Sequence, residues 1–145
     1  MSQENVERVR AYLELWNGHQ LRPEERPWEV VYDPVALALF DPEPTYADSI
    51  LPDHAGEEYH GLDGIARSWE GWMEDYDWLQ VELEDIIDAG EYVVSIHKAQ
   101  ARMRHTGLEF ASPLAYVYTF HEGKCVRAET FVDVAAALKS AGLEA

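Results

Sequence analysis

At 145 residues the chain has the length of one ordinary domain (1–145), long enough to bury a core and too short for two. Its 47% hydrophobic and 12% aromatic content excludes a disordered chain, and Met1-Ser2-Gln3-Glu4 lacks the basic-then-apolar pattern of a signal peptide. A net charge of −17 repels phosphate backbones and anionic headgroups, so neither nucleic acid nor a membrane is expected as a partner.

A first helix is predicted from Gln3 to Trp16, where Val6, Val9, Leu13 and Trp16 recur at three- and four-residue spacing. Asn17-Gly18 ends it. Residues 19–33 form a long connection containing Pro23, Pro27, Trp28 and Tyr32, and its apolar second half is expected to pack down as a lid or wrap. Asp33-Pro34 reads as an N-cap with proline in the first turn of a short helix that stops by Asp41-Pro42. An extended piece, Pro44 to Leu51, and a loop, Pro52 to Glu58, lead to a third helix over Asp63 to Tyr76. Its stripe is Ile65, Trp69, Trp72, Met73 and Tyr76. Trp69 and Trp72 are not expected both to face inward with full burial.

The period then changes. Val81 to Ile87, Tyr92 to Met103, Glu109 to Phe120 and Cys125 to Val132 are β-rich runs, separated by Asp88-Ala89-Gly90, His105-Thr106-Gly107 and His121-Glu122-Gly123. A last short helix, Val134 to Ser140, closes at Gly142. Helices first and a strand meander afterwards predict an α+β fold, a twisted antiparallel sheet with helices on one face. The lone Cys125 makes no internal disulfide, which places the chain in a reducing cytoplasm, and its apolar strand setting marks packing rather than nucleophilic chemistry. In the second long strand Ser95, His97, Ala99 and Ala101 share the smaller, less charged face. Under the helices that face would present His97 as an acid, base or ligand contact; near an outer surface His97 is a satisfied structural histidine.

Three phrases carry a resemblance: Ala38-Leu39-Phe40-Asp41-Pro42 before the first long strand, Tyr59-His60-Gly61-Leu62-Asp63-Gly64-Ile65 opening the third helix, and His121-Glu122-Gly123-Lys124 before the last strand. With the element order, they make the chain similar to the NTF2-like superfamily, closest to its SnoaL-like branch, over nearly all residues except 19–33, which read as an insertion or lid. The resemblance implies a cone-shaped half-barrel, a curved sheet with three helices on its concave face around a pocket. It also implies a homodimer, formed through the outer sheet face. The superfamily holds isomerases, cyclases, epoxide hydrolases, dehydratases and non-catalytic binders, so fold leaves function open.

Aligned through Leu39-Phe40, the ketosteroid-isomerase pattern implies roles for three residues: Tyr12 as oxyanion-hole tyrosine, Asp48 as general base, and Tyr116 where that family carries a protonated aspartic acid. A phenol at Tyr116 still donates a hydrogen bond. Such a trio removes a proton beside a carbonyl and stabilises the enolate, with no metal or cofactor. His97 is an auxiliary acid or base; Trp16, Tyr46, Trp69, Tyr118 and Thr130 are substrate contacts. Plainer readings stand beside these. Tyr12 is a core residue with its hydroxyl at the rim, Asp48 caps a loop, and Tyr116 and Tyr118 fill the sheet face. His54 is a loop residue at the mouth. Thr130 falls where SnoaL-type cyclases carry an acid and cannot act as a base, and parity turns Glu129 to the opposite face. The expected activity is isomerisation, cyclisation or dehydration of a small apolar carbonyl or hydroxyl compound in an enclosed pocket; the alternative is a non-catalytic small-molecule-binding or dimeric scaffold domain.

Overall fold

The computed structural model describes residues 2–48 and 57–143. In chain order the elements are α1 (Ser2–Glu14), β1 (Gln20–Leu21), 3-10 turns over Pro23–Glu25 and Pro27–Tyr32, α2 (Pro34–Leu39), β2 (Phe40–Asp48), β3 (Glu57–His60), α3 (Gly61–Met73), β4 (Tyr76–Ala89), β5 (Tyr92–Met103), β6 (Glu109–His121), β7 (Lys124–Phe131) and α4 (Val134–Ser140). None of the described helices is long and apolar enough to cross a membrane.

The seven strands form one curved, unclosed sheet in the order β1-β4-β5-β6-β7-β2-β3. All pairs are antiparallel except β2 with β7, which run parallel with a shift of register between Phe40 and Thr45. Side chains alternate across the sheet, so one face collects Val93, Tyr116, Tyr118 and Ala128 with the buried stripes of α1 and α3. Val9, Leu13 and Trp16 of the first helical stripe are buried there together with Ile65, Trp69 and Met73. The end of α1 is stapled to the sheet: Leu83 N–H donates to the Asn17 side-chain oxygen at 2.6 Å, and Gly18 N–H to Val81 O at 2.8 Å. Gly18 has φ of +75°, a left-handed turn that glycine adopts at no steric cost.

Three findings revise the sequence reading. Helix α4 does not join the others on the concave face; it packs on the opposite face, where Val94, Ala115 and Val117 meet Ala137 and Ala141. Trp69 and Trp72 are both buried, at 5% and 9% exposure. Three residues are only about 60° apart around a helix, so one broad stripe holds both rings. Strand β4 starts at Tyr76 and the helix ends at Met73, because Tyr76 continues the helical spacing in sequence but pairs with Met103 in space.

The 19–33 segment is packed. Gln20 and Leu21 pair with Gln80 and Leu79 at the sheet edge, and Pro27, Trp28 and Val31 are buried. Tyr32 donates to the Asp63 carboxylate on α3, tying the segment down. Asp33 caps α2 by accepting from Val35 N–H at 2.9 Å.

Candidate active site

Strand register assembles the site. Ser95, Tyr116, Thr130 and Asp48 lie side by side on β5, β6, β7 and β2, one row across the concave face. The next row is Val93, Tyr118, Ala128, Tyr46 and Tyr59. Direct neighbours in such rows have Cβ atoms about 5 Å apart, so their polar tips reach one another.

Two polar chains result. At the Asp48 end, Thr130 Oγ1 donates to Asp48 Oδ1 at 3.5 Å, while the Tyr46 phenol is hydrogen-bonded to Thr130 and to Ser68 of α3. At the other end, His97 Nε2 and Ser95 Oγ are 2.8 Å apart, and Ser95 also bonds the Tyr118 phenol. Burial drives the Tyr46, Tyr116 and Tyr118 phenols well above the ordinary tyrosine range, and the Asp48 charge adds to the effect at Tyr46 and Tyr116. They therefore stay protonated and act as donors. Tyr12 is also raised, chiefly by burial, with Cys125 rather than Asp48 as its titratable neighbour, and its ring sits edge-on to Phe40 and Trp16.

His97 lies under the helices, 0% exposed, stacked on Trp16 at 6.0 Å and edge-on to Tyr116 at 5.3 Å. Burial lowers its pKa to about 4, so the ring is neutral. Its Nδ1 has no hydrogen-bond partner among the described residues.

One roomy enclosed pocket is not what these side chains make. The centre lined by Tyr12, Trp16, Tyr46, Trp69, Tyr116 and Tyr118 retains about 10 Å³, and a second slot behind Trp16 and Trp69 another 10 Å³. Each is scarcely the size of one water. Seven aromatic rings and Ile65 interlock where a smaller set would leave a hollow. The usable volume is displaced toward α3: a cleft of about 240 Å³ bordered by Asp48, Tyr59, Ser68, Trp72, Glu74 and Asp75. Asp48 is 3% exposed at its inner wall.

The structure thus sets Asp48, Thr130, Tyr116 and Tyr46 in adjoining register, with Tyr46 and Tyr116, like Tyr12, lining the packed centre and His97 stacked on Trp16. Ser68 and Tyr59 escaped the sequence reading. Ser68 does share a face with Trp72, four residues on; Tyr59 is placed by β3 packing against Gly64, whose Cβ would lie 3.2 Å from Tyr59 atoms. His54 lies outside the described residues. Among the described residues no group of three His, Cys, Asp or Glu is placed to hold a metal ion. Cys125 is buried, and burial pushes its thiol up to about 12.

A curved sheet with helices in its concavity and polar groups lining that face is the architecture of NTF2-like proteins. An NTF2-like protein of unknown function from Burkholderia pseudomallei superposes with a TM-score of 0.68 at 19% identity, covering 94% of this chain and 95% of the other. A Jannaschia protein assigned as a SnoaL-like polyketide cyclase gives 0.65 at 18% identity, covering 94% and 90%. A Catenulispora acidiphila protein with a ketosteroid isomerase-like fold, in complex with trimethylamine, gives 0.55 at 17% identity, covering 80% and 89%. Residues 9–128 match the SnoaL-like domain family, and the chain belongs to it. No curated protein matches the chain.

Proposed function

We propose that the chain is a cofactor-free acid–base enzyme acting on a small carbonyl or hydroxyl compound bound in the Asp48 cleft, by isomerisation, cyclisation or dehydration. The observation that carries this reading is a carboxyl group 3% exposed at the inner wall of an open cleft, in register with Thr130 and Tyr116. In the proposed reaction Asp48 takes a proton from the carbon beside the carbonyl, and Thr130 fixes the carboxylate's orientation. The phenols of Tyr46 and Tyr116, held protonated by burial, line the packed centre beside the cleft, and they stabilise the developing oxyanion once the rings between them and the substrate shift. Tyr12 and His97 take part if Trp16 and Trp69 swing aside, with Tyr118 as the deeper wall. A volume of 240 Å³ lies below the usual range for drug-sized ligands, so the substrate has few heavy atoms. The trimethylamine held by the Catenulispora protein is of that scale.

The filled centre favours a second reading, a domain that binds a small molecule without turning it over. Both readings suit a homodimer in the cytoplasm through the part of the outer sheet face that α4 leaves open, around Lys98, Gln100 and Pro113, which light scattering would detect. Mass spectrometry of ligands that co-purify would identify the occupant. Asp48→Asn separates the two readings: an enzyme loses turnover by orders of magnitude while keeping affinity. A binder shows no turnover to lose.

A further inference from the structure

We propose that a second, independent site lies at the sheet edge where the segment after β1 meets the start of β4 and the end of β5: an open groove of about 660 Å³ that binds a small planar monocarboxylate. Arg22, Arg102 and Arg104 line it with Trp78, Glu24 and Asp77, and it shares no residue with the Asp48 cleft. The inference therefore stands whether or not Asp48 is catalytic.

The charge pattern comes first. The chain carries only 11 Lys and Arg against 28 Asp and Glu, yet three of the 11 converge on this groove. Arg102 Nε is engaged by Asp77 Oδ2 at 3.6 Å. The other two are not neutralised: Arg22 Nη2 donates to the Gln20 amide oxygen at 2.7 Å, and Arg104 Nη2 to Tyr76 O at 3.2 Å. Neither has a carboxylate partner among the described residues. A guanidinium offers five N–H donors in a planar fork, so each keeps most of its capacity for a carboxylate, which the fork fits bidentately.

Shape narrows the ligand. Trp78 is half-buried and stands opposite Arg102 in strand register, on the same face of the sheet. Its indole is a flat apolar platform beside the guanidiniums, suited to a ring or conjugated chain attached to the carboxylate. Charge number narrows it further. The three guanidiniums face the carboxylates of Glu24 and Asp77, with Glu109 opposite Arg102 in strand register, inside a field set by −17 overall. A monoanion meets less repulsion there than phosphate dianions and polyanions.

The site also gives the 19–33 segment a task. β1 runs antiparallel to β4 through the pairs Gln20–Gln80 and Leu21–Leu79, so the next residue, Arg22, arrives at the Trp78 end of β4. The 3-10 turn at Pro23–Glu25 then builds the groove's outer wall.

The test is an amide-shift NMR titration of the full chain with benzoate, with the neutral isostere benzamide and inorganic phosphate as controls. Benzoate is expected to shift residues 22–24, 77–78 and 102–104 saturably, benzamide not at all, and phosphate more weakly than benzoate. Arg22→Gln and Arg104→Gln should each weaken benzoate about tenfold, the loss of one charged hydrogen-bond pair. Asp77→Asn, which frees Arg102, should tighten it. Equal shifts from benzamide, tighter binding of phosphate, wild-type affinity in both arginine variants, or shifts confined to the Asp48 cleft would each overturn the proposal.

Discussion

His97 offers a measurable consequence of the packed centre. It is 0% exposed, and burial lowers its pKa from 6.5 to about 4. The unfolded chain therefore binds a proton below about pH 6.5 that the folded chain refuses until about pH 4. Protons bound preferentially by the unfolded state make stability fall as pH falls, so His97 erodes the fold across that window and adds no further loss below it. A difference of about 2.5 pH units corresponds to about 3 kcal/mol, at ~1.4 kcal/mol per unit. His97→Gln removes the titration and keeps an amide that can meet Ser95. Urea unfolding followed by tryptophan fluorescence, repeated from about pH 7 to about pH 4, gives stability curves for both chains. Contributions common to the two chains cancel in the difference. Wild type should lose about 3 kcal/mol relative to His97→Gln over that range, most of it between pH 6.5 and 4. Parallel curves would show that His97 titrates as an ordinary exposed histidine and that the centre is wet.

Trp69→Ala should cost about 3–5 kcal/mol and join the two slots into an apolar cavity that takes up xenon, seen as density or as methyl shifts in NMR. The Cys125 thiol, pushed up to about 12 by burial, should react with Ellman's reagent only at the rate of global unfolding; a fast native reaction would place it at the surface. Asp33→Ala removes the acceptor for Val35 N–H and should lower stability by about 1 kcal/mol in the same urea assay.

Local pattern made much of the fold legible. β5 and α4 run between the residues their alternation and capping signals predict, Tyr92–Met103 and Val134–Ser140, because each is bounded by turn chemistry. The start of β4 was not legible, since Trp72, Met73 and Tyr76 keep helical spacing past the point where the chain pairs with β5. Nor was the outward placement of α4, which depends on which sheet face still lacks a partner. The parallel pairing of β2 with β7 joins residues about 80 apart, and no local signal encodes it. That same pairing sets Asp48 beside Thr130 and Tyr116. The site was readable as residue types, and its rows were readable only from register. Cavity volume is a still later property: no single residue declares that Tyr12, Trp16, Trp69 and Tyr118 together fill the centre and leave Asp48 facing a cleft beside α3. Ser68, a small polar residue on an aromatic helix face, was the overlooked signal.

Proton exchange tests the proposed role of Asp48 most directly. A panel of small ketones and aldehydes incubated with the protein in D2O, with loss of the α-proton signal followed by NMR, reads abstraction of a carbon-bound proton without knowledge of the natural product. At least one compound should exchange faster than in buffer, and Asp48→Asn should reduce this exchange by roughly a hundredfold or more, as loss of a general base does. Exchange that persists undiminished in Asp48→Asn would contradict the proposed role of Asp48.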